Sequence, residues 1–290
     1  MKEKNKIAEY ITFPRTFENY KWYKPILVFI IALIIYFILN YVVSIVFGGI
    51  YGWDVIDSID AGGYEALNTA VGQIYTDLGI IVAIPAIFIA AKIVKDRPFS
   101  SYSSSRGGWN FKLYFKSLII PLIMLLIFEA LTMGEAEGTN HFTITFLIVV
   151  LITVPLQCIA EEYVYRALFM QTFGSWFKIP IVAVILQAIF FALSHGYDNL
   201  GNFEVFIFGL GTGFLAWKTN GLEVSAAIHT VNNLIITLTV MFRLGVTSST
   251  TTLTDAAIVI AFDIMLFIVM YYIGEKTNWF GEIEKPQNKT

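Results

Sequence analysis

The chain has 290 residues, 57% of them apolar and only 14% charged, with a mean hydropathy of +0.68 and a net charge of −3. Soluble domains run at about 45–50% apolar and about 25% charged, so a soluble enzyme is excluded, and so is disorder, which needs low hydrophobicity and high charge. With no basic stripe along an aromatic face, a nucleic-acid partner is excluded as well; the partner this composition demands is the lipid bilayer.

Residues 1–25 read as a cytosolic arm. They carry Lys2, Lys4, Lys6, Arg15, Lys21 and Lys24 but no short apolar core ending in a small-residue cleavage site, and such lysines and arginines suit anionic headgroups. A membrane-crossing helix takes about 20 mostly apolar residues. Runs of that kind lie near 26–47, 72–94, 113–133, 143–170, 181–197, 203–218, 222–242 and 255–273. The predicted fold is therefore all-α and polytopic, with about eight transmembrane helices over 26–273, a motif-bearing core at 143–242 and a cytosolic tail at 274–290. The fifth and sixth runs are short and punctuated by Gly196, Gly201 and Gly209, and Pro85, Pro121 and Pro155 are expected to kink their helices. SSYSSSRGGWN, at 100–110, reads as a flexible cytosolic loop. Tryptophans at 22, 53, 109, 176 and 279 fall near span boundaries and read as interface anchors.

Basic residues are retained on the cytoplasmic side. With both termini inside, only Arg243 of the 19 lysines and arginines falls outside, whereas Asp54, Asp57, Asp60, Glu65, Glu135, Glu137 and Asp198 fall on the outer loops. This alternation predicts an integral protein of the plasma membrane with N- and C-termini in the cytosol.

An ionisable group within a span costs at least about 2.5 kcal/mol on insertion scales, which makes it a functional candidate. The densest such group is CIAEEYVYR in the fourth run. Glu162 and Arg166 are four apart, on one face and acid first, so they can neutralise each other; Glu161, turned about 100° away, is left without a local partner. His195 closes FFALSH one turn after Phe191. His229 lies in AAIHTVNNL with Asn233 one turn on, on the same face. At 1.5 Å per residue Glu161, His195 and His229 fall within about 10 Å of depth near the midplane, so they can converge. His141, in an outer loop, reads as incidental. Asp263, mid-span in the last helix, and Asp77 and Glu129, toward the outer ends of theirs, have no role from pattern alone. Cys158, the only cysteine, excludes an internal disulfide and reads as a small buried apolar group.

A carboxylate, two imidazoles and a carboxamide suit acyl hydrolysis by water. Glu161 could take the proton of the water, His195 could hold that water and serve the leaving amine, and His229 with Asn233 could donate to the oxyanion. A Ser/His hydrolase fits poorly, because Ser194 and His195 are consecutive and do not face each other. Two histidines and a glutamate also form a zinc ligand set, but the H-E-x-x-H helix is missing. No cofactor is expected, with zinc kept as the alternative. A transporter fits less well, since no inverted repeat or paired broken helices are visible.

The run EEYVYR at 161–166 resembles the EExxxR motif of the CPBP family, FALSH at 191–195 resembles its FxxxH motif, and HTVNN at 229–233 its HxxxN motif. That family comprises type II CAAX prenyl endopeptidases and the bacterial abortive-infection and bacteriocin-immunity membrane proteins. The resemblance implies a glutamate-dependent intramembrane endopeptidase acting on a peptide or protein substrate, prenylated or not, near the cytosolic side of the membrane. By the family pattern Glu161 and His195 activate water, His229 and Asn233 form the oxyanion hole, and Glu162, Arg166 and Phe191 support them. The alternatives are a zinc-dependent variant and a non-catalytic membrane immunity or binding protein of the same fold.

Overall fold

The computed structural model describes residues 9–62, 68–132, 140–244 and 252–280. Lys2, Lys4, Lys6, Glu65, Glu135, Glu137, Lys285 and Lys289 of the expected topology lie outside these residues. Among the described residues seven helices are long and apolar enough to cross a membrane: α1 (Lys24–Tyr51), α3 (Ala70–Val94), α4 (Phe111–Thr132), α5 (Ile144–Phe177), α7 (Asn199–Thr219), α8 (Glu223–Phe242) and α9 (Leu253–Thr277). Two shorter helices, α2 (Trp53–Asp60) and α6 (Pro180–Leu193), complete the bundle. The starts of the long helices are fixed locally. Thr69, Asn110, Thr143, Asp198 and Thr252 each accept a hydrogen bond from the backbone N–H three residues on, which satisfies a donor the helix itself cannot.

The distribution of side chains is that of a membrane bundle. Ile34, Phe37, Ile38 and Tyr41 on α1 face outward, with Phe37 62% exposed; an apolar belt of this kind finds its partner in lipid. Polar groups sit inside instead: Glu162, Arg166, Gln187, Thr212, Ser225 and His229 are all buried. The protein is an integral membrane protein.

The predicted span at 181–197 is realised differently. Helix α6 has 14 residues, a length of about 21 Å against a hydrocarbon thickness of about 30 Å. The polar SHGYDN segment cannot prolong an apolar helix, and Gly196, at φ +67°, takes the left-handed turn that reverses the chain. Helix α7 then runs back along α6. Gln187 Nε2 donates across that contact to the Gly209 carbonyl at 2.7 Å, where the lack of a side chain on Gly209 lets the helices approach closely. The return therefore places His195 within the bundle.

The serine-rich loop is a correction. Ser101, Tyr102, Ser103, Ser104 and Ser105 are buried, because the loop pairs with the α7–α8 connection through an antiparallel bridge between Ser104 and Gly221. Leu222 N–H donates to Ser103 O at 2.9 Å and Ser105 N–H to Asn220 O at 3.1 Å. Sequence pattern reads serines as solvated, whereas here the hydroxyls of Ser101, Ser103 and Ser104 and the loop backbone find fixed partners. Trp109 likewise turns inward, packing on Tyr114 and Tyr163 at 5.6 and 6.3 Å between ring centres, rather than anchoring at an interface.

The N-terminal segment is also more ordered than an arm resting on headgroups. Tyr10–Thr16 forms a 3₁₀ helix against the end of α5, with Tyr10 and Ile11 buried. Arg15 Nη1 donates to Ser175 O at 2.9 Å and Lys24 Nζ to Lys95 O at 2.8 Å. Burial pushes the phenols of Tyr10 and Tyr102, which lie outside the spans, above their ordinary range. A Cβ built on Gly174 would run into the Ile11 side chain and its carbonyl. Gly174→Val is accordingly expected to release this segment, read as rapid trypsin cleavage after Arg15 and Lys21 in the variant against protection in the wild type.

Asp77 acquires a structural account. It accepts hydrogen bonds from Gln73 Nε2 at 2.8 Å and from the Thr153 hydroxyl, tying α3 to α5. Thr153→Val should lower the thermal midpoint by the equivalent of about 1–3 kcal/mol, the cost of a buried acceptor losing its donor, without altering the site described next.

Candidate active site

The site is assembled on four helices. Helix α5 supplies Glu161, Glu162 and Arg166, the turn just after α6 supplies His195, α7 supplies Phe208 and Thr212, and α8 supplies Ser225, His229 and Asn233. Just after Glu162 the backbone of α5 widens into a π-helical stretch at Tyr163–Phe169. Such stretches re-aim side chains and concentrate at functional sites; this one carries Arg166 into the interior.

Glu162 and Arg166 are completely buried and paired at 3.3 Å, as the four-residue spacing predicts. Each is then tied to a neighbouring helix. The Arg166 Nη2 donates to the Thr212 hydroxyl on α7. Glu162 Oε2 accepts from Ser225 Oγ at 2.7 Å and Oε1 from His229 Nδ1 at 2.9 Å, both on α8. The guanidinium also lies 4.2 Å over the centre of the Phe191 ring, a favourable cation–π geometry. Charge, hydrogen bonds and ring together lock α5, α6, α7 and α8 around one point.

With Nδ1 engaged by Glu162, the His229 ring has one orientation, and its Nε2 points at the other carboxylate. Glu161 Oε2 lies 3.3 Å from that nitrogen yet has no hydrogen-bond partner, so the carboxylate is held but unspent. Asn233, one turn on, sits with Nδ2 3.4 Å from His229 Nε2 and 3.4 Å from Gln157 Oε1. The pairing of Glu162 with Arg166 leaves Glu161 without a partner on its own helix, as the spacing of the two glutamates implies, and it faces His229 instead.

His195 is fixed from the other side. Its Nδ1 lies 2.7 Å from the Phe191 carbonyl; a carbonyl only accepts, so Nδ1 carries a proton, and in the neutral ring Nε2 presents a lone pair. Phe191 stands between the two histidines, its ring centre 4.6 Å from His195 and 5.8 Å from His229. Two cavities meet at His195. The first, about 530 Å³, is lined by Glu161, Ser194 and His195 and otherwise by apolar and aromatic groups such as Phe29, Leu33, Tyr36 and Phe169. The second, about 660 Å³, is lined by His195, His229, Asn232 and Asn233 together with Asp263.

All four residues expected to do chemistry thus reach one place, three through direct contacts and His195 through the shared cavities and Phe191. Among the described residues no three histidine, cysteine or acidic side chains are grouped as metal ligands. Cys158 is fully buried, its Sγ 3.4 Å from Gln157 Oε1, as a small core residue. Sequence reasoning did not name Gln157, Ser225 or Thr212. The first two were findable, since Gln157 is four before Glu161 and Ser225 four before His229, on the same helix faces; Thr212 has no local signal.

YyaK of Bacillus subtilis (strain 168), an uncharacterized protein, is 28% identical over 172 residues, covering 54% of this chain and 57% of that one; the alignment thus spans little more than half of that curated relative. No solved structure matches. Residues 143–235, the stretch holding every motif of the site, match the Rce1-like family, described as type II CAAX prenyl endopeptidase, and it is over this stretch that the family resemblance read from the three motifs holds.

Proposed function

We propose that the protein is an intramembrane endopeptidase that hydrolyses a peptide bond with a water molecule activated by Glu161 and His195. The observation that carries this reading is the unspent Glu161 oxygen beside a histidine whose ring another carboxylate holds in place. A water between Glu161 and His195 Nε2 meets two acceptors, which aim its own lone pair at an acyl carbon. As the new C–O bond forms, the water proton passes to Glu161. His229 Nε2, 3.3 Å away, is near enough to share that proton, so its ring becomes a donor in the step that creates the oxyanion. Asn233 Nδ2 donates in every protonation state of its neighbours, and donors of this kind contribute about 3–4 kcal/mol each. The intermediate then collapses, breaking the C–N bond, and the proton moves to the leaving amine through Glu161 or His195.

The substrate is a peptide or protein segment reached from within the membrane, and the apolar cavity beside Glu161 suits its lipidated or hydrophobic part, prenylated or not. In the proposed topology both termini are cytosolic and the protein resides in the plasma membrane. Support comes from the basic residues: Arg15, Lys24, Arg106 and Lys116 all engage partners at one end of the bundle, Ser175, Lys95, Glu223 and Trp279.

Purified wild type and Glu161→Gln, each incubated with prenylated and unprenylated peptides and read by mass spectrometry, test the reading. Cleavage by wild type alone, with or without a zinc chelator, is expected. Chelator-sensitive cleavage would point to a zinc-dependent variant, and equal cleavage by Glu161→Gln would remove Glu161 from the chemistry.

A further inference from the structure

The second cavity carries a feature the proposed chemistry does not use. Asp263, on α9, is only 5% exposed, lines this cavity and makes no hydrogen bond or ion pair among the described residues. Glu204, on α7, lines the same cavity and keeps a buried Oε1 without a partner. Asp198 is a third carboxyl in the wall, partly used as the cap of α7. Among the described residues no lysine or arginine lines the cavity, so no cation in its wall faces Asp263 or Glu204. A carboxyl group buried at this depth is costly unless something meets it. These acids do not form a metal ligand set, and the cavity opens directly onto His195, His229 and Asn233, where the substrate backbone would lie.

Resting on the peptidase reading, we propose that this cavity is a specificity subsite for a basic side chain of the substrate, a lysine or arginine close to the cleaved bond, with Asp263 as its anchor and Glu204 as its second carboxyl. The apolar cavity takes the hydrophobic side of the substrate and the acidic cavity the cationic side, with the reacting bond between them at His195. The same acids repel a free carboxylate, so a chain terminus placed in this cavity is disfavoured and an internal bond followed or preceded by a basic residue is preferred. Asp263 here is a residue that binds substrate rather than one that moves a proton.

The test uses fluorescent heptapeptides with a Leu-Phe pair on one side and lysine, norleucine or glutamate placed one to three residues away. Binding is measured by anisotropy in nanodiscs with full-length Glu161→Gln, which stops turnover, and with Glu161→Gln/Asp263→Asn and Glu161→Gln/Glu204→Gln. The best lysine peptide should bind at least tenfold more tightly than its norleucine twin, and the glutamate peptide more weakly than either. Asp263→Asn should reduce the lysine preference below twofold while leaving norleucine binding unchanged, with Glu204→Gln intermediate. Turnover by the single variant Asp263→Asn should show the loss as a raised KM for the lysine peptide with kcat held. No lysine preference, or a preference that survives Asp263→Asn, overturns the subsite. Asp263-dependent binding without any cleavage by wild type would sustain the subsite and sink the peptidase reading, while cleavage indifferent to charge would do the reverse.

Discussion

Arg166→Met should destabilise the protein by about 3–5 kcal/mol, the cost of leaving a fully buried carboxylate without its counter-ion. Among the described residues Arg166 is the one lysine or arginine paired with Glu162, and both are completely removed from solvent. Its loss also frees the Thr212 hydroxyl on α7 and uncovers the Phe191 ring, so contacts between three helices go together. The thermal midpoint in detergent reads the effect. Glu162→Gln should show a comparable fall and lose turnover as well, because His229 Nδ1 then meets a neutral amide oxygen in place of the carboxylate that supports its ring. The double variant Glu162→Gln/Arg166→Met should recover part of the stability without recovering activity, since no lone charge remains buried. Glu161→Gln, in contrast, should unfold near the wild-type midpoint, since the carboxylate oxygen it replaces makes no hydrogen bond. If Arg166→Met melted like the wild type, the buried pair would not be the clamp described above.

His195→Ala is expected to cost about 10²–10⁴ in kcat, the usual range for a lost proton-transfer group, with little change in stability. The ring is only partly buried, and its described hydrogen bond is local, to Phe191 one turn back. Asn233→Ala should cost about 10²–10³ in kcat, as for other oxyanion donors, with KM nearly unchanged because the oxyanion exists only in the reaction. Steady-state kinetics on any cleaved peptide, beside the melting curves of the same samples, separates these outcomes from misfolding. A His195→Ala enzyme within threefold of wild type would place the water elsewhere.

Much of this site was legible in the sequence because its parts repeat at helical spacing. Glu162 with Arg166, Phe191 with His195 and His229 with Asn233 are each four apart, and a helix puts such pairs on one face whatever surrounds it. The apolar runs are equally plain, since a bilayer demands about 20 apolar residues at each crossing. Contacts between helices left no such trace. Nothing in the spacing shows that Glu162 reaches across to Ser225 and His229, or that Arg166 finds Thr212, because those distances depend on how four helices pack. Helix α6 ends four residues before the expected 197, because the polar residues after Leu193 and the left-handed Gly196 reverse the chain. The serine-rich loop misled for a related reason: serine suits solvent and a satisfied interior alike, and only the bridge to Gly221 decides. Asp263 stood out by depth but could be given a role only once the acidic cavity was visible.

Direct attack by a Glu161-activated water is tested most directly by following a single turnover in ¹⁸O-labelled water with hydroxylamine present. Mass spectrometry of the new C-terminus should show one solvent oxygen and no hydroxamate with wild type, and no product with Glu161→Gln. A hydroxamate would reveal an acyl-enzyme and hence a side-chain nucleophile, and labelled product from Glu161→Gln would show that another group activates the water; either result contradicts the mechanism.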